Sequence, residues 1–102
     1  MNDVSMDKEK LLGLLGLARR AGKLAMGFRA VEKLVRHGER PLVVMARDMG
    51  PSQRNKVLAW EPVRGLLGDV LTGEEMARTL GREKLMVVGL SDPGFIKGIG
   101  SV

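Results

Sequence analysis

Between Ala21 and Met49 a short apolar segment, a glycine, a basic amphipathic segment and a second apolar run follow one another. That succession constrains the fold more than any other feature of the chain. Residues 23–26 are too few for more than an edge strand. After Gly27, apolar side chains recur at Val31, Leu34 and Val35, the i, i+3, i+4 spacing of a helix with one buried face. The same spacing turns Arg29, Glu32, Lys33 and Arg36 towards solvent. Gly38 closes the helix, and Leu42 to Ala46 is apolar without alternation, as expected of a strand covered on both faces. Strand, helix and strand in this order make the repeating unit of an α/β fold.

The flanking segments extend the pattern. Residues 1–6 are expected to fray. Residues 7–21 carry Leu11, Leu12, Leu14, Leu15, Leu17 and Ala18 over a wide helical face, with Arg19 and Arg20 favourably placed in the last turn and Gly22 just beyond it. Gly13 and Gly16 weaken that helix by about 1 kcal/mol each relative to alanine, and close packing against a sheet is the expected reason. Pro51 starts a third helix running to residue 60, where Glu61-Pro62 stops it. Residues 66–71 read as a strand weakened by Gly68. Thr72 and Glu75 form a capping box for a helix that ends at Gly81. Residues 84–90 make a second strongly apolar strand, and Ser91-Asp92-Pro93 supplies the N-cap and first position of a last short helix. Gly98-Ile99-Gly100 falls in an end that looks disordered. The expected architecture is a single-domain α/β/α sandwich over residues 7–102, with a small, four-stranded mixed sheet.

Composition narrows the function. With 102 residues and 44% apolar side chains, the chain can bury a real core, which a basic disordered tail cannot. It has no cysteine, so disulfides and thiolate metal sites are excluded, and one histidine, His37, cannot build a histidine cluster. No apolar run approaches a membrane span and no cleavable leader is evident, so a cytoplasmic protein that does not enter membranes is expected. The net charge is +5, and it is lopsided: residues 1–60 hold twelve basic and six acidic side chains, residues 61–102 five and six. Such asymmetry is a footprint of nucleic-acid or anionic-membrane binding. With only Phe28, Trp60 and Phe95 as aromatics, stacking of single-stranded bases has little to work with, so folded RNA is the better partner.

No catalytic constellation is visible. Gly50 to Val57 approaches a P-loop, but Asn55 replaces the second glycine and Val57 the hydroxyl that would bind magnesium. Glu74 and Glu75 point about 100° apart on a helix and do not form an acid–base pair. No nucleophile elbow or dinucleotide fingerprint occurs, so no enzyme activity, cofactor or metal is expected. The candidate site lies instead where the second helix begins. A helix N-terminus has unpaired N–H groups and about half a positive charge, and Gly27 leaves it bare. Arg29 and Lys33, four residues apart, repel one another by a few tenths of a kcal/mol, and an anion would relieve that repulsion. Lys23, Arg36 and Arg47 complete the cationic neighbourhood expected of this unit, and Phe28 beside Gly27 is a further candidate contact.

With Arg20-Ala-Gly-Lys23, Gly27-Phe-Arg-Ala-Val-Glu-Lys33, Leu42-Val-Val-Met-Ala46, Thr79-Leu-Gly81 and Ser91-Asp-Pro-Gly-Phe95 in this order and spacing, the chain resembles a ribosomal-protein superfamily. It is the superfamily of large-subunit proteins L-seven-Ae and L-thirty-e, whose members bind kink-turn RNA, and the bacterial YlxQ-like branch is the most similar. The resemblance implies an α/β/α fold, binding of kink-turn or similarly bent RNA, a role in translation or another ribonucleoprotein, and no catalysis. It assigns Gly27 to backbone approach and Lys33 to a phosphate or base contact. The family's Asn-Glu pair is Arg29-Ala30 here; Arg29 retains the means to fork onto a guanine edge, whereas Ala30 reads nothing. Leu71, Thr72 and Gly73 fall where a second RNA-facing loop is expected. The partner implied is ribosomal RNA or another structured RNA, with association to ribosomes. The alternative is a non-enzymatic assembly factor docking its basic face on an acidic protein.

Overall fold

Four strands of three or four residues each carry the molecule, and the computed structural model describes them within residues 8–100. The fraying expected at residues 1–6, and a helix start at residue 7, lie outside the described residues. In chain order the elements are α1 (Lys8–Arg20), β1 (Leu24–Met26), α2 (Phe28–Arg36), β2 (Leu42–Met45), α3 (Pro51–Leu58), β3 (Gly65–Leu67), α4 (Gly73–Leu80), β4 (Val87–Leu90) and α5 (Pro93–Gly100). The strands form one sheet in the order β1-β4-β2-β3. β4 is antiparallel to both its neighbours, while β2 and β3 are parallel, which makes the sheet mixed. It follows that β1, β2 and β3 run in one direction and β4 against them. The end of the sheet where those three strands finish and β4 begins is called the upper end below.

The uninterrupted apolar runs are explained by burial on both faces. Along β2, Val44 joins one core cluster, while Val43 and Met45 join the other. Along β4, Val88 and Leu90 fall on the first side and Val87 on the second. The first cluster takes Leu11, Leu15 and Ala18 from α1, Met76 and Leu80 from α4, and Ile99 from α5. The second takes Val31 from α2 and Val57 from α3. Each such fully buried side chain contributes about 1.5–3 kcal/mol, so two helical layers clamp a sheet that three-residue strands could not hold together alone. The result is the expected α/β/α sandwich.

Several local expectations are corrected. β3 stops at Leu67 rather than residue 71, because an edge strand pairs on one side only and its partner β2 is itself short. Leu71 then pairs through its carbonyl with the Arg47 N–H, at 2.8 Å. β4 begins at Val87, opposite the last residue of β2, instead of at residue 84. The third helix ends at Leu58, before residue 60. Gly13 and Gly16 have no atom within 4 Å of where a side chain would begin, so they are not close-packing positions, and Leu17 is 48% exposed, off the buried face. The Gly98-Ile99-Gly100 end is helical, with Ile99 buried against the first cluster. The cap of α5 is Asp92, whose Oδ1 accepts the N–H groups of Gly94 and Phe95 at 2.9 and 3.3 Å.

Candidate nucleic-acid interface

Two helices open at the upper end without a capping side chain. α2 follows Gly27, which sits at φ 96° and ψ 161°, and α3 follows Gly50; neither has an acidic residue in its first turn. Their N-terminal N–H groups and dipoles therefore add positive potential there instead of being offset locally. α4, by contrast, is closed by Thr72 Oγ1 accepting the Glu75 N–H and Glu75 Oε1 accepting the Thr72 N–H. The Gly27 N–H is spent on the Val87 carbonyl at 2.9 Å, which ties the head of α2 to the start of β4. The backbone angles at Gly27 lie in a region open essentially to glycine alone. The space where its side chain would stand is empty, so a ligand backbone can approach.

Beside this head lies an open cavity of about 320 Å³. Gly27, Phe28 and Gln53 line it together with Arg82, Lys84 and Met86 from the segment between α4 and β4. Arg82 and Lys84 were not among the residues expected from sequence. They belong to the half of the chain with no excess of positive charge, and only the β1–β4 pairing carries their segment next to Gly27. Glu83 stands between them in the chain and is exposed. The nearby Asp48 carboxylate is engaged, its Oδ1 accepting the Gly73 N–H at 2.9 Å.

The ten expected site residues divide into three groups. Gly27, Phe28, Arg29 and Arg47 lie at the upper end, with Lys33 one helical turn below Arg29 on the same face, and Arg29, Lys33 and Arg47 are exposed. Phe28 is half-buried, with its ring 5.0 Å from that of Trp60, and this contact anchors the first residue of α2. Lys23 and Arg36 lie at the opposite end, Lys23 before β1 and Arg36 at the finish of α2, about 13 Å down its axis from the head. The residues Leu71, Thr72 and Gly73 are committed to the fold. Leu71 is fully buried and Thr72 is held in its capping box. Gly73 packs so closely on Met86 that any side chain would meet its sulfur. Among the described residues no group of three or more His, Cys, Asp or Glu side chains is placed to hold a metal ion. Nor is any described helix long and apolar enough to cross a membrane.

Comparisons with known proteins agree with this fold. The pattern of the ribosomal protein L7Ae/L30e/S12e/Gadd45 family matches residues 9–64. A solved structure of a protein of unknown function from Bacillus halodurans C is 30% identical, with a TM-score of 0.73, covering 90% of this chain and 94% of its own. The 15.5kD RNA binding protein of Giardia lamblia is 16% identical and shares the fold, with a TM-score of 0.69 over 99% of this chain and 88% of its own. No curated protein matches the chain in sequence.

Proposed function

The chain belongs to the ribosomal protein L7Ae/L30e/S12e/Gadd45 family, and from that membership we propose that it is a non-enzymatic protein that binds structured RNA through its upper end. The observation that carries this reading is a pair of uncapped helix N-termini beside an open cavity bordered by Arg82 and Lys84. Phosphate oxygens suit the helix heads and the cations, while the apolar lining from Met86 and Phe28 suits the face of an unstacked base. The Giardia neighbour, itself described as an RNA binding protein, points the same way. In the finer form of the proposal the target is a kink-turn or similarly bent element of ribosomal RNA. The protein is then a cytoplasmic, ribosome-associated component of translation from the bacterial YlxQ-like branch.

A gel-shift titration of a kink-turn hairpin over a range of salt concentrations tests the reading. Neutralising about four phosphates gives a log–log slope of about −3. Arg29→Ala should relax discrimination between bent and straight hairpins, and Lys33→Ala should weaken binding to both. Arg82→Ala combined with Lys84→Ala should weaken binding as much as Lys33→Ala. Salt-independent binding, or wild-type affinity in every variant, overturns the proposal. Pull-downs whose partners survive nuclease digestion would favour docking on an acidic protein instead.

A further inference from the structure

The positive charge of the chain is divided between the two ends of the sheet. Because β1, β2 and β3 all run towards the upper end, the residues that precede them line up along the lower edge. Lys23 stands directly before β1, Arg40 two residues before β2 and Arg64 directly before β3. With β4 between β1 and β2, and about 4.8 Å between neighbouring strands, these three cations form a row about 15 Å long. The Arg64 N–H donates to the Pro41 carbonyl at 2.8 Å, which fixes Pro41 beside Arg64 and places Arg40 one residue further out along the same edge. All three side chains are exposed. Arg36 reaches the same end with its side chain 75% exposed, and its contact with Glu32, 3.7 Å, is a surface pair of little strength.

Three acids stand at the same edge, but among the described residues none forms an ion pair with these three cations. Asp92 follows β4 at the same edge, but its carboxylate is turned to the head of α5, where it caps Gly94 and Phe95. Glu39 and Glu61 are exposed single charges in the turns before β2 and β3. The large hydrophobic side chains exposed among the described residues, Leu17 and Leu58, belong to α1 and α3 and not to the row. A row of point charges without an apolar wedge suits a phosphodiester backbone better than a lipid interface. We propose that the lower edge, through Lys23, Arg40 and Arg64, is a second RNA contact, so that one chain joins two RNA segments at opposite ends of its sheet.

The full chain carrying Arg29→Ala, Lys33→Ala, Arg47→Ala, Arg82→Ala and Lys84→Ala removes the cations named at the upper end, and the probe is a blunt RNA duplex of about two helical turns. This background should still bind the duplex in a salt-dependent manner. Adding Lys23→Gln, Arg40→Gln and Arg64→Gln should lower the log–log salt slope by about 2–3 and the affinity by at least about tenfold at low salt. In the otherwise native chain the same three glutamines should leave kink-turn hairpin affinity within about twofold and abolish simultaneous binding of hairpin and duplex, read by energy transfer between labelled RNAs. Duplex affinity indifferent to the three glutamines overturns the proposal. So does their loss of binding to phosphatidylserine vesicles when duplex binding is unchanged. The two readings fail separately, because the duplex titration is made with the upper-end cations already removed.

Discussion

Thr72 and Glu75 exchange hydrogen bonds across the first turn of α4, and Glu75 also meets Lys8 at 2.9 Å. This capping role makes Thr72→Ala a stability variant: it should cost about 1 kcal/mol, read as a lower denaturant midpoint at unchanged slope, and leave RNA affinity intact. The hydrogen bond from Lys8, with that from the Thr72 backbone, holds the Glu75 carboxyl below its ordinary value. A depressed carboxyl contributes stability that is fully present above the ordinary glutamate range and lost as pH falls through the folded value. Melts at about pH 7 and about pH 3 should therefore differ less for Glu75→Gln than for the native chain; equal differences would remove the argument. Gly27→Ala meets no neighbour but forces a non-glycine residue into the φ 96°, ψ 161° conformation. It should destabilise by about 1–3 kcal/mol in a chemical melt. At this scale the sequence was informative where the structure is local: the placement of Gly27 and Arg29 at the head of α2 and the capping box of α4 could be read from neighbours three or four positions away. Arg82 and Lys84 could not, since nothing near them in the chain marks them as neighbours of Gly27.

Helices proved more legible than strands. Each helix has its own punctuation, such as Pro51 at the head of α3 and Gly81 in the left-handed conformation after α4. Strand ends have none, because a strand lasts only as long as its partner. β4 is shorter than its apolar run for this reason, since its pairing spans the four residues of β2, and β3 stops at Leu67 opposite Val44, one residue before β2 ends. The glycines of α1 make a different point. With open space around Gly13 and Gly16, replacing either by alanine should raise stability by about 0.5–1 kcal/mol, additively, as a rise in melting temperature. A fall would mean that something covers this face in solution. Leu71→Ala should cost about 2–5 kcal/mol, since Leu71 is fully buried in the larger core cluster.

For the molecule as a whole, β2 and β4 contribute side chains to both core clusters, so neither helical layer can leave without exposing strand residues that the other layer needs. Unfolding should then be a single transition. Trp60 fluorescence, which reports the α2–α3 side, and far-UV dichroism should give coincident curves in urea; an early fluorescence change would show the layers separating. Element order, the covered character of the sheet and the basic head of α2 were all determined by the sequence itself, because periodicity, caps and local charge act over a few residues. Only the tertiary structure decided which cations share an end of the molecule. Strand order and direction carry Arg82 and Lys84 up to Gly27 and leave Lys23 and Arg36 at the opposite edge, and pairing between strands distant in the chain leaves no mark in local sequence.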